Sequence, residues 1–546
     1  MAIEQASYGN RIGRRPARLC LVVPTLGAAL VIVGCGGNTV TAGDAGPDTT
    51  ADGATDTGVA HDRPQPDVAD APALDAPAGD GPALDGPAGD VPNDAAREDL
   101  GTPLDGGRCD PEGPADGLVT DPACRAEMAT APTCEGAGPC PITAYATLGC
   151  SVSGGYGPWV VPTGAEDGVS VLYSTNAGEF RARVFELGGG RPPRALKMAA
   201  ATPAPPLMVG DGAGGRVLVV GELPGVATRR ETPEGWRQQP VAGGVGSVLL
   251  LPTAASFVSP GRGHVAFFDL DLHAPYVASL RDGCWSLQRL AGTAQTDIAL
   301  DLDAAGRPHT AWWTYRNGSP VLQVATPDGA VQDAATGSAQ ETLRARELPR
   351  LIASLPDTAT RGPLVAWQRA GGVYAARRSV GGAWQSWRLV DSPETAPEGD
   401  CPPAEPLGPG AACSAERCTQ RARGDAGFYG LTATADGTLW AVWGRRDLTE
   451  RYTLTTRCLP GPMGRCTCAR ELQSASGTLT LHVARVDPAR TTPVTAAMRI
   501  ALPLDGPAPT TFALTARGRH LLVVAPAAAT AGIALRYLDI DTASLP

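Results

Sequence analysis

The sequence predicts an all-β protein built from one repeated antiparallel unit. Three observations carry that expectation. The 546-residue chain holds 68 Gly and 51 Pro, a composition that interrupts long helices and punctuates strands. Beyond residue 150 one theme recurs: an apolar strand, a Gly-containing turn, then a strand rich in Val, Ala, Phe or Trp. Those second strands read as continuous apolar runs instead of strict alternation, the pattern of sheets covered on both faces.

In chain order, residues 11–18 (RIGRRPAR) supply a positive segment and 19–34 (LCLVVPTLGAALVIVG) an apolar one. At 16 residues with an internal proline, the apolar run is short of the ~20 residues of a relaxed membrane span. It ends on IVGC (32–35), which resembles the lipobox of bacterial lipoproteins. The resemblance implies a lipoprotein signal peptide over 1–34, cleavage after Gly34, and a diacylglyceryl group on the Cys35 thiol with acylation of the new amine. At ~0.8 kcal/mol per buried CH₂, several acyl chains make an effectively permanent anchor, so the lipid bilayer is the first expected partner. Gly36 in place of Asp implies sorting to the outer membrane. A single lysine, Lys197, against 44 arginines suggests a GC-rich bacterial genome. An ordinary signal peptide with a chance cysteine is the competing reading. Arg14-Arg15 hints at twin-arginine export, but its flanks fit that signal poorly.

Residues 35–107 form an acidic tether rich in Ala, Asp, Gly and Pro. Near-repeats PALDAPAGD (72–80) and PALDGPAGD (82–90) stand ten residues apart, and between 36 and 108 fifteen acids face three Arg. Almost no large apolar side chain is present to offset the entropy of ordering, so disorder is expected. A coil of that length spans roughly 45 Å. Its aspartates are diluted by proline, unlike those of a calcium-binding repeat. The remainder, 109–546, is nearly neutral at about −2, which excludes a nucleic-acid partner on electrostatic grounds.

Fourteen cysteines occur. Cys20 leaves with the signal and Cys35 takes lipid, leaving twelve disulfide candidates for an oxidising compartment. Cys109, Cys124, Cys134, Cys140 and Cys150 lie in a Cys-rich segment, 108–150. Cys284 stands alone. Cys401, Cys413 and Cys418, then Cys458, Cys466 and Cys468, sit in insertions near 395–425 and 456–470. Five plus one predicts that Cys284 staples the N-terminal segment to the main domain. The last six are placed to lock two loops together. No CxxC pair supports zinc.

The main domain, 151–546, carries the repeat. Its clearest copy is DIALDLDAAGRPHTAWWTY (297–315). The second strands begin at Val169, Val217, His264, His309, Leu364, Trp440 and His520, and four of the six spacings fall between 45 and 55 residues. Outer hairpins are visible between copies, as in YVASLRDGCWSLQRL (276–290). Four strands per repeat, seven times, resembles a β-propeller. Trp312 and Trp313 must point to opposite faces, which a doubly covered sheet buries. The seventh repeat lacks a fourth strand at the C-terminus, and the resemblance implies that 141–150 or 158–163 closes the ring.

Chemical motifs are few, and no cofactor or metal is expected. GDGAGG (210–215) matches GxGxxG but leads into a strand, so it reads as a turn. DLDAAG (301–306) lacks the third acid and the distal Glu of a calcium loop. His264, His309 and His520 recur at equivalent positions, either converging on a channel or each doing the same packing job. Trp384, Trp387, Trp440 and Trp443 are candidates for stacking on sugar rings or for packing between sheets. Sialidase-like hydrolases also use propellers, yet TATADGTLW (432–440) only approaches their Asp-box pattern and no arginine cluster or Tyr nucleophile is assignable. The leading expectation is a tethered binding module for a glycan or envelope protein, with loops 391–428 and 456–475 as the contact. A sialidase-like glycoside hydrolase or polysaccharide lyase, and a structural envelope scaffold, are the alternatives.

The anchor is directly testable. Cys35→Ala in the producing cell is expected to move the protein from the membrane fraction to the soluble or uncleaved pool; retention in the membrane with normal processing refutes lipidation.

Overall fold

The apolar runs pair into sheets in chain order. A computed structural model describes residues 109–545 except 137–139, 152–155, 165–166, 177–179, 224, 244–249, 338–348, 356, 370–371, 380, 392–396, 403–405, 408–411, 459–465, 506–511 and 528–532. The signal segment, Cys35 and the tether lie outside the described residues.

Among the described residues there are seven antiparallel sheets, each with four strands in simple up-and-down order at its heart. Their first strands are Tyr156–Pro162, Leu207–Gly210, Leu250–Ser259, Ala299–Leu302, Arg350–Ile352, Arg417–Ala433 and Ala513–Arg517. Each first strand touches the first strands of both neighbouring sheets, in a cycle that returns from the seventh to the first. The arrangement is all-β and propeller-like. Second strands start within two residues of the positions read from the sequence, from Val169–Asn176 in sheet one to His520–Ala527 in sheet seven.

Side-chain alternation explains why the ring holds. Seven clusters of buried apolar side chains fill the seven interfaces between neighbouring sheets. Trp312 packs towards sheet three and Trp313 towards sheet five, so one strand serves two cores. In sheet seven, Leu521 and Val523 face sheet six while Leu522 and Val524 face sheet one.

Turns between first and second strands gather at one end of the ring and touch their neighbours there. Gly164 N–H donates to Gly214 O at 2.8 Å, Arg262 to Ala305 O at 2.7 Å, and Ala435 N–H to Gly518 O at 2.9 Å. The GxGxxG-like stretch is one of these turns: Asp211 Oδ1 accepts from Ala213 N and Gly215 N, and a Cβ on Gly212, with φ near +77°, would run into the Val258 carbonyl. Hairpins between second and third strands lie at the opposite end.

Closure comes from the N-terminal side. Ile142–Cys150 pairs with Ile533–Asp541 as the fourth strand of sheet seven, the first of the two segments expected to do so. The rest of the Cys-rich segment is not a separate module. From Cys109, bonded to Cys284 in sheet three, the chain runs back around the rim. Gly113–Pro114 edges sheet two, Leu118–Thr120 edges sheet one, Cys124–Met128 edges sheet seven and Cys134–Gly136 edges sheet six. This strap covers sheet edges that would otherwise offer unpaired backbone groups. Strands of two to five residues carry no periodicity, which is why the sequence reads the strap as a segment apart. Disulfides Cys124–Cys150 and Cys134–Cys140 and the ion pairs Glu112–Arg230 and Asp121–Arg183 pin it.

The expected loops 391–428 and 456–475 also differ. Much of their length is strand, because the second and third strands of sheet six continue outward. Leu439–Cys458 and Cys466–Val486 are 20 and 21 residues long, against 6 to 9 for the other second strands. With the outer part of Arg417–Ala433 they make a three-stranded ribbon beyond the ring. Cys401–Cys418 and Cys413–Cys468 staple the preceding linker to it, and Cys466 is also disulfide-bonded.

The strap's two ion pairs differ in burial. The Asp121 side chain is fully enclosed with Arg183, whereas Glu112 and Arg230 are partly exposed. Asp121→Ala leaves a buried guanidinium unpaired and is expected to cost about 3–5 kcal/mol in denaturant unfolding. Glu112→Ala is expected to cost about 1 kcal/mol or less. Equal costs refute this assignment.

Candidate functional site

Two regions gather polar chemistry: the interface between sheets four and five, and the open face of the ribbon. The first is set by alternation along one strand. Ala299 and Asp301, on the fourth sheet's first strand, face sheet five; Asp297 lies two residues before that strand, and Ile298 packs towards sheet three. Asp301 Oδ2 accepts from Ala353 N across the interface at 2.7 Å. Arg350 opens the facing first strand and acts electrostatically on Asp297.

Both carboxyls titrate high. Burial pushes Asp297 up to about 6 against the pull of Arg350. Burial likewise lifts Asp301 to about 6, opposed by backbone donors including Ala353 N–H. Asp297 is exposed at the surface, so water screens much of that effect.

Of the three recurring histidines, none converges on a channel; each sits on the second strand of its own sheet. His264 Nδ1 bonds Ser279 Oγ at 2.8 Å and Nε2 bonds Gly306 O at 3.3 Å, and burial lowers its pKa to about 4. His520 Nδ1 bonds Asp539 Oδ1 at 2.7 Å. His309 lies 3.8 Å from Asp303 Oδ2 through Nε2 and leaves Nδ1 without a partner.

The four tryptophans fall between sheets. Trp440 and Trp443 are buried in the clusters on either side of sheet six, the latter stacked on His482 at 5.2 Å. Trp384 is half-buried and donates Nε1–H to Gln332 Oε1 at 3.1 Å; Trp387 packs against the cluster between sheets five and six. The near-Asp-box stretch forms a turn in which Asp436 Oδ1 accepts from Thr434 Oγ1 and Thr438 N. In the calcium-like stretch, Asp303 is taken up by Ala305 N, Arg307 N and the Arg307 side chain. Among the described residues no group of three or more His, Cys, Asp or Glu is placed to hold a metal ion.

The ribbon has two unlike faces. One carries Gln420, Glu450, Tyr452 and Arg470 in a hydrogen-bonded network, with Gln420 Nε2 to Glu450 Oε2 at 2.8 Å and Tyr452 OH to the same oxygen at 2.7 Å. The linker covers this face, with Arg470 reaching Pro402 O. The other face is open and bears Arg417, Thr419, Arg421, Thr449, Arg451, Thr455 and Arg457, all exposed. Arg421 is paired to Asp447. Arg417, Arg451 and Arg457 have no carboxylate in ion-pair range among the described residues.

Sequence reasoning missed Asp297, Asp301 and the ribbon arginines. The D-x-A-x-D alternation was the available signal for the carboxylates. The Arg/Thr alternation in 449–457 was the signal for the open strand face.

No family model matches the chain, and no curated protein matches it. Among solved structures it is similar to a subtype N10 neuraminidase-like protein (little yellow-shouldered bat, Guatemala), at 9% identity over 52% of this chain and 95% of that one, with a TM-score of 0.29. It is similar to the β-propeller domain of the Trilobed protease from Pyrococcus furiosus, at 8% identity over 71% and 95%, TM-score 0.22. Trypanosoma rangeli sialidase gives 9% identity over 78% and 96%, TM-score 0.23. At these scores the likenesses carry no argument about function, and the fold rests on the strand pairing itself.

The raised Asp297 pKa has a stability sign. A carboxyl whose folded pKa exceeds its unfolded value makes the charged form a net cost, present above about pH 6 and gone as the pH falls below about 4. Asp297→Asn is therefore expected to raise Tm by about 1–2 °C at pH 7.5 and to leave it unchanged at pH 4. A loss of stability at pH 7.5 refutes this reading of Asp297.

Proposed function

We propose that the seven sheets are blades of a closed seven-bladed propeller, four strands to each, and that the whole is a tethered binding module of the cell envelope. Cys35 anchors the chain in the outer membrane, residues 35–107 set the distance from it, and the propeller engages a glycan or an envelope protein. The observation that carries this reading is the ribbon. It is the one long elaboration among the described sheets, its covered face is pinned by two disulfides, and its open face presents Arg417, Arg451 and Arg457, which have no carboxylate partner among the described residues. A rigid arm presenting free guanidinium groups and hydroxyls suits acceptor-rich, acidic or polyhydroxylated partners.

A glycan-cleaving reading is favoured by one observation, the two high-titrating carboxyls four residues apart at the start of sheet four. Asp301 is held by backbone donors, which leaves Asp297 as the group available for proton transfer.

The test is sedimentation of the oxidised full-length protein with delipidated envelope material from the producing bacterium, alongside the Arg451→Glu/Arg457→Glu variant. Wild-type binding that falls about tenfold or more in the variant, with no release of reducing ends, supports the binding module. Reducing-end release that Asp297→Asn abolishes replaces it with the hydrolase. Binding unchanged in the ribbon variant removes the ribbon from the contact.

A further inference from the structure

Strand register shows how the charges on the ribbon's open face are laid out. Arg421 lies opposite Thr449, Thr419 opposite Arg451, and Arg417 opposite Thr453. Arg421, Arg451 and Arg417 therefore occupy successive rows of one face, moving away from the ring. Arg457 follows two rows further out, four residues beyond Thr453 on the same strand. At ~6.8 Å per row, the arginines from Arg451 to Arg457 trace a line of about 20 Å along the ribbon.

The inner end of this line is already answered. Arg421 pairs with Asp447 at 2.7 Å, and Arg423 lies 3.5 Å from Asp447 and 3.8 Å from Glu398. The outer end is not. Arg417, Arg451 and Arg457 have no carboxylate in ion-pair range among the described residues. Glu471, opposite Thr453, is exposed on the same face and forms no ion pair among the described residues. Hydroxyls fill the remaining positions: Thr419 and Ser474 flank Arg451, Thr453 stands beside Arg417, and Thr467 beside Arg457.

The same alternation sets what can bind. Among the described residues this face carries no aromatic or large aliphatic side chain. The stacking that holds single-stranded nucleic acid and the buried anchors of a protein interface have no group here to supply them. The ribbon's edges are also occupied. Glu398–Gly399 pairs with Arg421 and Gln420 on one side, and Pro406–Leu407 with Thr467 and Cys466 on the other, so a partner strand cannot add there. The linker and its disulfides cover the reverse face. What remains is a hydroxyl-lined row of guanidinium groups, which suits an extended chain carrying both anionic groups and hydroxyls.

We propose that the outer half of the ribbon's open face binds an anionic polysaccharide laid along the ribbon axis. Its acidic groups meet Arg451, Arg417 and Arg457, and its hydroxyls meet the threonines between them. This rests on the ribbon reading above and narrows it, making the glycan the partner in place of an envelope protein. One chain links the successive contacts, so affinity rises with chain length until the chain spans the line.

The experiment is calorimetric titration of the oxidised full-length protein in detergent with polygalacturonate, its methyl ester, dextran sulfate, dextran and poly-L-glutamate. The expected result is binding of polygalacturonate or dextran sulfate, with the methyl ester, dextran and poly-L-glutamate weaker by about tenfold or more. Arg451→Glu/Arg457→Glu should weaken the anionic sugar about tenfold or more with Tm unchanged. Removing the inner ion pair by Arg421→Gln/Asp447→Asn should change its affinity less than about threefold, because those charges already answer each other. Galacturonate oligomers should bind more tightly with length; a monomer as tight as the polymer overturns the axial placement. Absence of binding to both anionic sugars overturns the proposal. Equal binding of poly-L-glutamate or of the neutral polymers overturns it too, as does an affinity unchanged in the outer variant. The ribbon reading fails separately. If Arg451→Glu/Arg457→Glu loses envelope binding while neither anionic sugar binds, the ribbon remains the contact and the polysaccharide is withdrawn. If that variant keeps envelope binding, the ribbon itself is withdrawn.

Discussion

Every sheet in this protein must be covered on both faces, and the rest of the structure follows from that. A sheet whose strands read as Ala-Trp-Trp or Leu-Leu-Val-Val has no face that tolerates water. Trp312 and Trp313 are neighbours in sequence and belong to different cores. A linear stack would leave two terminal faces bare. A ring leaves none, and the cycle of touching first strands is the geometric solution. Ring closure is therefore imposed by burial, and each of the seven interfaces is filled by side chains from two sheets.

Closure in turn fixes what the N-terminal segment does. Sheet seven draws its fourth strand from Ile142–Cys150, so the two ends of the domain meet in one ladder. The strap upstream then runs backwards over the rims of sheets two, one, seven and six, and Cys109–Cys284 fastens its start to sheet three. Cross-linking residues 175 positions apart removes a large share of the unfolded chain's freedom. The strap thus does two jobs, covering edges and constraining the open ring. Its buried Asp121–Arg183 pair gives the register of that covering, because a slip would strand a charge.

The sequence made the ring legible where the physics is local. A glycine turn followed by an apolar run marks each second strand, so His264, His309 and His520 were placed on the right strands from pattern alone. The missing fourth strand of repeat seven was legible as a shortage. The strap was not, because edge strands such as Leu118–Thr120 are too short to show a period and their pairing partners lie far along the chain. The ribbon was misread for a different reason. Strands outside the ring have one open face, so Thr449 to Arg457 is polar at alternate positions and looks like loop when the template is a doubly buried strand. Arg350 was out of reach: nothing in its surroundings announces that it faces Asp297 across an interface.

Polar groups join neighbouring sheets across the apolar interfaces. Between sheets one and two, buried Arg216 bonds Glu231 at 2.7 Å and Glu186 at 2.5 Å, so all three charges are answered. Between sheets five and six, Gln368 meets Asp425 and Tyr429 OH meets Ala366 O. Between sheets four and five the pattern changes along the interface. Asp301 is bonded across it, exposed Asp297 at one end titrates high, and Nδ1 of His309 at the other is buried without a partner. Structural polar contacts in a dry interface are selected for satisfaction, since an unmet donor or acceptor only subtracts from stability. Asp301 meets that rule across the interface, and His309 Nδ1 is one of several buried side-chain atoms in the ring that do not.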